Sequence, residues 1–214
     1  MDYSVEYRKN GMPLSLFQQN YQDVATYLAY CQACPNYNTV WSCPPLPFDA
    51  VRYWDPFNWM YVVGAKIYLS PAVIRAADTA EKIKAIGWQI VVEVKRSLEE
   101  KMRELEQQVP GSVSLSSGGC NLCPACSRQR GVVCRSPETM RYSLDAFGFN
   151  LTAIAHDMLG IEIQWCKDRL PDYFTLVHGI ASTEEITGRT WEVLNVPFDS
   201  DKCEEGLDKS ASNR

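Results

Sequence analysis

Residues 62–69 read VVGAKIYL, an almost continuous apolar run that is typical of a strand buried in a sheet. Residues 92–108 place apolar side chains on one helical face and opposite charges on the other, which predicts a long helix. Residues 112–116 and 173–180 predict two further strands. The order of these elements indicates an α/β or α+β fold: a single domain whose central sheet is flanked by helices, with cysteine-rich loops at strand ends.

Shorter patterns complete the predicted outline. Ser136 suits a helix N-cap and Pro137 the first helical position, so a helix is predicted to begin there. The domain is expected to cover residues 1–198, and the polar residues 199–214 are expected to form a flexible tail. The other features are a short alternating segment at 3–7, an amphipathic stretch at 14–30, predicted helices at 137–146 and 150–159, and a predicted strand at 161–165.

The overall composition is that of a globular protein. With 46% hydrophobic and 22% charged residues, the chain is not largely disordered. The 21 basic and 26 acidic residues give a net charge of −5, which gives no support for binding the phosphate backbone of nucleic acid. No apolar run has membrane-spanning length, and the N-terminus lacks a signal-peptide pattern. We therefore expect a cytoplasmic protein with no nucleic-acid or membrane partner.

Nine cysteines dominate the chemistry of the sequence, and seven of them form two groups. In a reducing cytosol, clustered cysteines are more often metal ligands or catalytic groups than disulfides. The first group has the spacing C-x2-C-x8-C, and the second has C-x2-C-x2-C-x7-C. The candidate metal ligands are Cys31, Cys34 and Cys43 in the first group and Cys120, Cys123, Cys126 and Cys134 in the second.

The C-x2-C-x2-C run of the second group favours iron–sulfur chemistry. Three cysteines at this spacing can bind three irons of one [4Fe–4S] cluster, and the run recurs in bacterial-type ferredoxins. A mononuclear zinc site usually takes its ligands as two pairs, so the middle cysteine would be redundant. We therefore predict one or two [4Fe–4S] clusters, with a structural zinc site or thiol–disulfide chemistry as the alternatives.

The neighbours of the second group suit a cluster. Gly118 and Gly119 allow the backbone to approach a cluster closely and offer N–H groups to its sulfurs. Arg135, with Arg128 and Arg130, supplies positive charge that offsets the negative charge of a thiolate-ligated cluster. Gly118, Gly119 and Arg135 are therefore candidate cofactor-binding residues.

Seven ligands do not complete two four-cysteine clusters. Each group can bind its own cluster, or Cys134 can cross over to the first group as in two-cluster ferredoxins. Either arrangement leaves one iron without a group cysteine, and we expect that iron to take water, a substrate atom or Cys166. An open coordination position is typical of catalytic rather than structural metal sites.

The remaining candidates have simpler interpretations. Cys166 is predicted to be a packed thiol at a strand end, and Cys203 is incidental in a polar tail. His156 is predicted to have a surface or capping role, and His178 to be a core histidine with satisfied hydrogen bonds. The aromatic run at 53–61 indicates core packing.

Four sequence elements, taken in order, carry a family resemblance. They are Cys31-x2-Cys34, Trp41-Ser42-Cys43-Pro44-Pro45, Gly118-Gly119-Cys120-x-Leu122-Cys123-x2-Cys126, and Cys134-Arg135-x-Pro137 followed by Arg141-Tyr142-Ser143-Leu144-Asp145-Ala146. Together they resemble a family of predicted metal-binding, cysteine-rich proteins of unknown function from anaerobic bacteria and archaea. The resemblance implies metal binding through the seven cysteines and an anaerobic setting, and it implies no particular reaction.

Three functions fit these observations. The first is a redox protein whose clusters exchange electrons with a partner protein. The second is an enzyme that uses an open cluster iron on a small-molecule substrate. The third is a zinc-stabilised interaction module. The ligand count favours the enzyme, because electron transfer does not need an open iron, although the sequence contains no clear acid–base constellation.

Overall fold

The computed structural model describes residues 2–194 of the 214-residue chain. Its sheet has four strands in the order β1-β2-β4-β3, and every neighbouring pair is antiparallel. The fold is therefore α+β, the second of the two predicted classes. The strands are Tyr3–Pro13 (β1), Trp59–Leu69 (β2), Ser112–Leu115 (β3) and Tyr173–Ser182 (β4).

Five α-helices accompany the sheet within residues 2–194: Leu14–Tyr21 (α1), Val24–Ala33 (α2), Pro71–Ala76 (α3), Ala80–Gln108 (α4) and Leu151–Leu159 (α5). Short 3₁₀ helices form at Arg52–Trp54, Ser127–Arg130, Leu144–Phe147 and Gly188–Leu194. None of the α-helices in this part of the chain combines the length and the apolar character that crossing a membrane requires. The predicted tail at 199–214 lies outside the described residues.

Strand β2 is the centre of the core because both of its faces are buried. Met60 and Val62 pack with α1 and α5 on one face, whereas Val63 and Ile67 pack against α4 on the other. Side chains alternate between the two faces of a strand, so burial on both faces requires a continuous apolar run. The sequence VVGAKIYL has this property, and its predicted strand is confirmed.

A row of buried serines attaches the cysteine segments to the edge of the sheet next to β3. Ser116, just after β3, forms a parallel bridge with Ser143. The N–H of Ser143 in turn donates to the carbonyl oxygen of Ser42, at 2.9 Å. The exposed fraction of each of these serines is 2% or less. The edge of the sheet therefore holds two segments that are far apart in sequence, and each carries cysteines.

The prediction of a helix at 137–146 is wrong. The chain makes one turn after Ser136 and then becomes extended, because the Ser116 N–H donates to Tyr142 O and the Leu144 N–H donates to Ser116 O. These long-range backbone bonds replace the hydrogen bonds of a local helix. A 3₁₀ helix follows at Leu144–Phe147.

Two other element predictions need correction. The amphipathic stretch 14–30 divides into α1 and α2, because Gln22 pairs with Phe149 and Asp23 begins a new helix as its N-cap. Helix α2 extends past the predicted end at residue 30, so Cys31 is helical and not on a loop. The strand predicted at 161–165 is wrong, because within the described residues this segment has no strand partner, and Ile161 instead packs into the core beside α5.

Candidate functional site

The first cysteine group lies where α2 ends. Cys31 occupies the last turn of α2, Cys34 caps its C-terminus, and Cys43 is buried in the loop that follows. All three line one cavity of about 380 Å³, which Asp145 and Gly118 also line. Much of the remaining wall is aromatic and includes Tyr27, Tyr30, Tyr37, Phe149 and Trp165.

Contacts at its N-terminus place α2 beside Asp145. The Asp23 carboxylate accepts the Thr26 N–H at 3.0 Å, and the Asp23 N–H donates to Gly148 O at 2.9 Å. Gly148 has a φ of +82°, and a Cβ there would lie 2.6 Å from the Cα of Val24. A side chain at position 148 would therefore push α2, and the first cysteine group with it, away from the 3₁₀ helix that carries Asp145.

The second cysteine group lies on the segment that follows β3. All four of its cysteines line one small cavity of about 20 Å³, together with Arg135 and Trp41. The three cysteines of the C-x2-C-x2-C run also line a wider cavity of about 640 Å³, which Lys95 and Gly119 share. Cys134 thus lies with the other members of its own group.

Ser42 connects the two groups. Its hydroxyl oxygen accepts the backbone N–H of Cys120 at 2.8 Å, and the same oxygen lies 3.8 Å from the sulfur of Cys43. Ser42 is fully buried, so this link is protected from water. The position of each cysteine group therefore depends on that of the other.

Arg128 also fastens the second segment to the first. Its guanidinium donates to the carbonyl oxygens of Val40 at 3.0 Å, Cys43 at 2.7 Å and Pro45 at 2.6 Å. The same guanidinium lies 4.9 Å from the centre of the Trp41 ring, which is a cation–π contact. The guanidinium of Arg128 therefore stabilises the loop of the first cysteine group through hydrogen bonds.

A buried lysine lies behind the second group. Lys95 on α4 is 4% exposed, and its ammonium donates to Gly119 O at 2.5 Å and lies 3.7 Å from the Glu99 carboxylate. Glu99 accepts the hydroxyl of Ser116 at 2.5 Å. The wider cavity therefore has a fixed positive charge in its wall, with one acidic partner.

Burial keeps several thiols protonated at neutral pH. It raises the pKa of Cys31 to about 11 and that of Cys43 to about 12, and the neighbouring charge of Asp145 adds to both shifts. Burial also raises the pKa of Cys120. The pKa of Asp145 itself is raised by burial. A metal that binds these groups as thiolates must therefore displace protons.

The candidate cofactor-binding residues occupy different positions around the cavities. Gly118 lines the first cavity, and its backbone N–H lies near the Asp145 carboxylate. Gly119 presents its carbonyl oxygen to Lys95, and a Cβ there would lie 2.7 Å from the Asn36 side chain. Arg135 is exposed at the small cavity. Within residues 2–194, no three cysteine, histidine or carboxylate side chains are close enough to hold a single metal ion.

Two cysteines lie apart from the groups. Cys166 is exposed, and its sulfur lies 3.6 Å from Arg169 O, so the prediction of a packed strand-end thiol is wrong. It lines a different cavity, beside the start of α4. Cys203 lies outside the described residues.

The two histidines also differ from each other. His156 is exposed and hydrogen-bonded to Asp157 at 2.7 Å, which confirms the predicted surface role. His178 is buried as predicted, but neither ring nitrogen has a hydrogen-bond partner, so the prediction of a satisfied histidine is wrong. Burial, with a smaller contribution from the charge of Lys95, lowers its pKa to about 3.

Three residues of the site have roles that the sequence did not suggest: Asp145, Lys95 and Ser42. Asp145 lies in the segment RYSLDA, one of the elements that carry the family resemblance. That segment was the one feature of the sequence that could have indicated a role for Asp145. Lys95 is on the helix predicted as a solvated charged face, where a buried lysine has no distinguishing pattern. Ser42 is next to a candidate ligand, but its contact with Cys120 depends on the tertiary fold.

Comparison with known proteins gives one match. A family model described as "predicted metal-binding protein (DUF2284)" matches residues 16–178, which include all seven clustered cysteines and Asp145. The searches of curated proteins and of solved structures give no match.

Proposed function

The chain belongs to this family of predicted metal-binding proteins, and from that premise we propose that it is an iron–sulfur protein with two distinct cluster sites. The second group binds one [4Fe–4S] cluster through its four cysteines. The first group binds another through three cysteines, which leaves one iron without a cysteine ligand. The protein uses these sites in anaerobic redox or small-molecule chemistry.

One observation carries the proposal: each cysteine group lines a cavity of its own. The three cysteines of the first group line the cavity of about 380 Å³, and Cys134 lines the small cavity with the rest of the second group. This separation supports the uncrossed arrangement over the one in which Cys134 joins the first group. The first cavity, at about 380 Å³, is also large enough for a four-iron cluster.

The charges near the second group support an anionic cluster there. Lys95 shares the wider cavity with the three cysteines of the C-x2-C-x2-C run, and Arg135 borders the smaller cavity. Positive charge and hydrogen bonds near a cluster stabilise its reduced, more negative form. Lys95 is the more effective of the two because it is buried and screened little by salt.

When bound, the clusters supply electron transfer at both sites and a Lewis acid at the iron that lacks a cysteine. The chain itself supplies the surroundings. The aromatic side chains of the first cavity present apolar surface beside the cysteines, and α2 and the 3₁₀ helix Leu144–Phe147 fix the positions of Cys31 and Asp145. The cavity that all four cysteines of the second group line has only about 20 Å³ and leaves no room for a substrate, which favours an electron-transfer role there.

A single zinc ion at the second group is a second candidate. The small cavity of about 20 Å³ is the one that all four cysteines line, and a volume of roughly 10–15 Å³ already holds one water-sized body. Four thiolates around one ion form a common structural zinc site, and here the four cysteines would have to move closer together than they are in the structure. In this alternative the second group stabilises the fold and the first group alone is reactive.

Elemental analysis separates these candidates. The protein is purified under anaerobic conditions and analysed for iron, zinc and acid-labile sulfide per chain. Two clusters predict about eight iron and about eight sulfide per chain, with a broad absorbance that bleaches on reduction. About one zinc per chain at the second group, with no more than about four iron and four sulfide, would support the zinc candidate there. Zinc without any sulfide would contradict the proposal.

A further inference from the structure

Asp145 is the carboxylate that shares the cavity of the first cysteine group. The cavity brings it together with Cys31, Cys34 and Cys43. The sulfur of Cys31 lies 3.9 Å from the backbone carbonyl oxygen of Asp145, so the 3₁₀ helix that carries Asp145 touches the last turn of α2. One side chain with oxygen donors therefore stands beside three thiols.

The packing around Asp145 holds it in this position. Its 3₁₀ helix is anchored by Phe147, whose ring centre lies 4.7 Å from that of Trp54 and 4.8 Å from that of Tyr53. Backbone N–H groups of Asp145 itself, Gly118 and Ala146 lie near the carboxylate and favour its ionised form. The side chain is therefore oriented before any ligand arrives.

The charge of Asp145 lacks a direct counter-ion. The Ser143 hydroxyl donates to the carboxylate. In the part of the chain that the structure describes, no lysine, arginine or histidine forms an ion pair with it. The charge of Lys95 acts on the carboxylate without a direct ion pair. The carboxylate and three thiols line one cavity, and oxygen and sulfur atoms are donors that bind metal ions.

We propose that the Asp145 carboxylate is the fourth protein ligand of the first site and binds the iron that no group cysteine reaches. The inference rests on the proposed iron–sulfur function. It replaces Cys166 as the protein candidate for this position, because Cys166 is exposed in another cavity. The first site then has three thiolate ligands and one oxygen ligand.

The ligand type has a chemical consequence. Thiolates are the soft ligands that hold iron–sulfur clusters, whereas carboxylates favour harder cations. The iron bound by Asp145 is therefore the most weakly held iron of its cluster and the one that an incoming molecule reaches. The wall of the same cavity beyond the cysteines is largely aromatic, so an incoming molecule would meet apolar surface next to that iron.

The test compares Asp145→Ala and Asp145→Cys with the wild type, with Asp168→Ala as an exposed control far from the cysteine groups in sequence. The measurements are iron and sulfide per chain, the EPR spectrum of the reduced protein, and the rate at which a chelator removes iron. Asp145→Ala is expected to lose one iron of the first cluster at least tenfold faster than the wild type. Asp145→Cys is expected to slow that loss below the wild-type rate.

The second cluster in the same sample is the internal control for folding. If Asp145→Ala retains that cluster and releases iron from the first site at the wild-type rate, with an unchanged spectrum, Asp145 is not a ligand. If Asp145→Ala loses both clusters, Asp145→Cys decides: an unchanged EPR spectrum in that variant overturns the inference, and a new spectrum supports it. A wild-type protein without iron and sulfide overturns the proposed function itself, so the two failures are distinguishable.

Discussion

The two cysteine groups differ in what surrounds them. The first has three cysteines around a cavity of about 380 Å³ with aromatic walls and the Asp145 carboxylate. The second has four cysteines around a cavity of about 20 Å³, with Arg135 at its border and Lys95 behind three of them. A complete thiolate set with positive charge suits a cluster that only changes oxidation state, whereas an incomplete set beside a larger cavity suits one that meets another molecule.

The two cysteine groups are also connected by direct contacts, so one fold positions both of them. Ser42 contacts Cys43 and Cys120. The guanidinium of Arg128, on the second segment, donates to backbone carbonyl oxygens of the first segment. Both segments are attached to the edge of the sheet through Ser143 and Ser116. Substitutions therefore separate into those that damage one site and those that loosen the connection between the sites.

Removal of one cysteine from either group has the largest expected effect and tests whether the two groups bind separate clusters. Cys34→Ser is expected to deplete the first site and Cys123→Ser the second, each with loss of up to about four iron per chain, because each cluster has its own ligands. Iron and sulfide analysis of the anaerobic proteins measures this. Cys166→Ser is the control and is expected to retain all iron. Complete loss of iron from both Cys34→Ser and Cys123→Ser would indicate one shared site.

Lys95→Met tests the buried charge behind the second group. The change leaves Glu99 and the Gly119 carbonyl without their buried partner, and breaking such a pair costs about 3 kcal/mol in the free energy of unfolding. Urea denaturation of the metal-free protein measures this loss. Lys82→Met on the same helix removes an exposed ion pair and is expected to cost less than about 0.5 kcal/mol. Equal losses in the two variants would contradict a special role for Lys95.

Arg128→Ala tests the connection between the groups. Three carbonyl oxygens lose a charged donor, so the metal-free protein is expected to lose about 2 kcal/mol of stability. In the metal-loaded protein, a chelator should then remove iron faster from both sites. Arg130→Ala, at an exposed neighbouring position, is expected to change neither property. Faster release from the second site alone would show that Arg128 does not support the first.

His178 predicts an effect on stability that depends on pH. Its pKa is about 3 in the folded protein, below its ordinary value of 6.5, so the unfolded chain binds more protons between these pH values. Stability is therefore fully present above pH 6.5 and falls as the pH decreases toward 3, by about 1.4 kcal/mol per pH unit.

Denaturation of the metal-free protein between pH 7 and pH 5 measures that slope without the acid release of metal. His178→Leu removes the titrating group and is expected to flatten the dependence. If the free energy of unfolding of His178→Leu depends on pH as steeply as that of the wild type, other groups cause the acid sensitivity. The comparison separates loss of the fold from loss of metal at the two cysteine groups.

Short sequence patterns correctly predicted the elements whose structure is set by neighbouring residues. The buried run of β2, the amphipathic α4 and the cysteine spacings are all legible within a short window, because one element or one turn sets them. The predicted helix at 137–146 failed because Tyr142 and Leu144 pair with Ser116, a contact that no window of sequence contains.

The proposed fourth ligand of the first site, Asp145, could not be predicted for the same reason. Asp145 and Cys31 are more than 100 residues apart, and the edge of the sheet and Gly148 bring them together. The count of seven cysteines indicated that a ligand was missing. It did not indicate which residue the fold would bring to that place.

The Mössbauer spectrum of protein loaded with iron-57 tests the difference between the two groups most directly. The account predicts two [4Fe–4S] clusters, one with thiolate ligands on all four irons and one with a single iron in a distinct environment with an oxygen ligand. A spectrum in which every iron has the same thiolate environment, or a protein that takes up no iron, would contradict it.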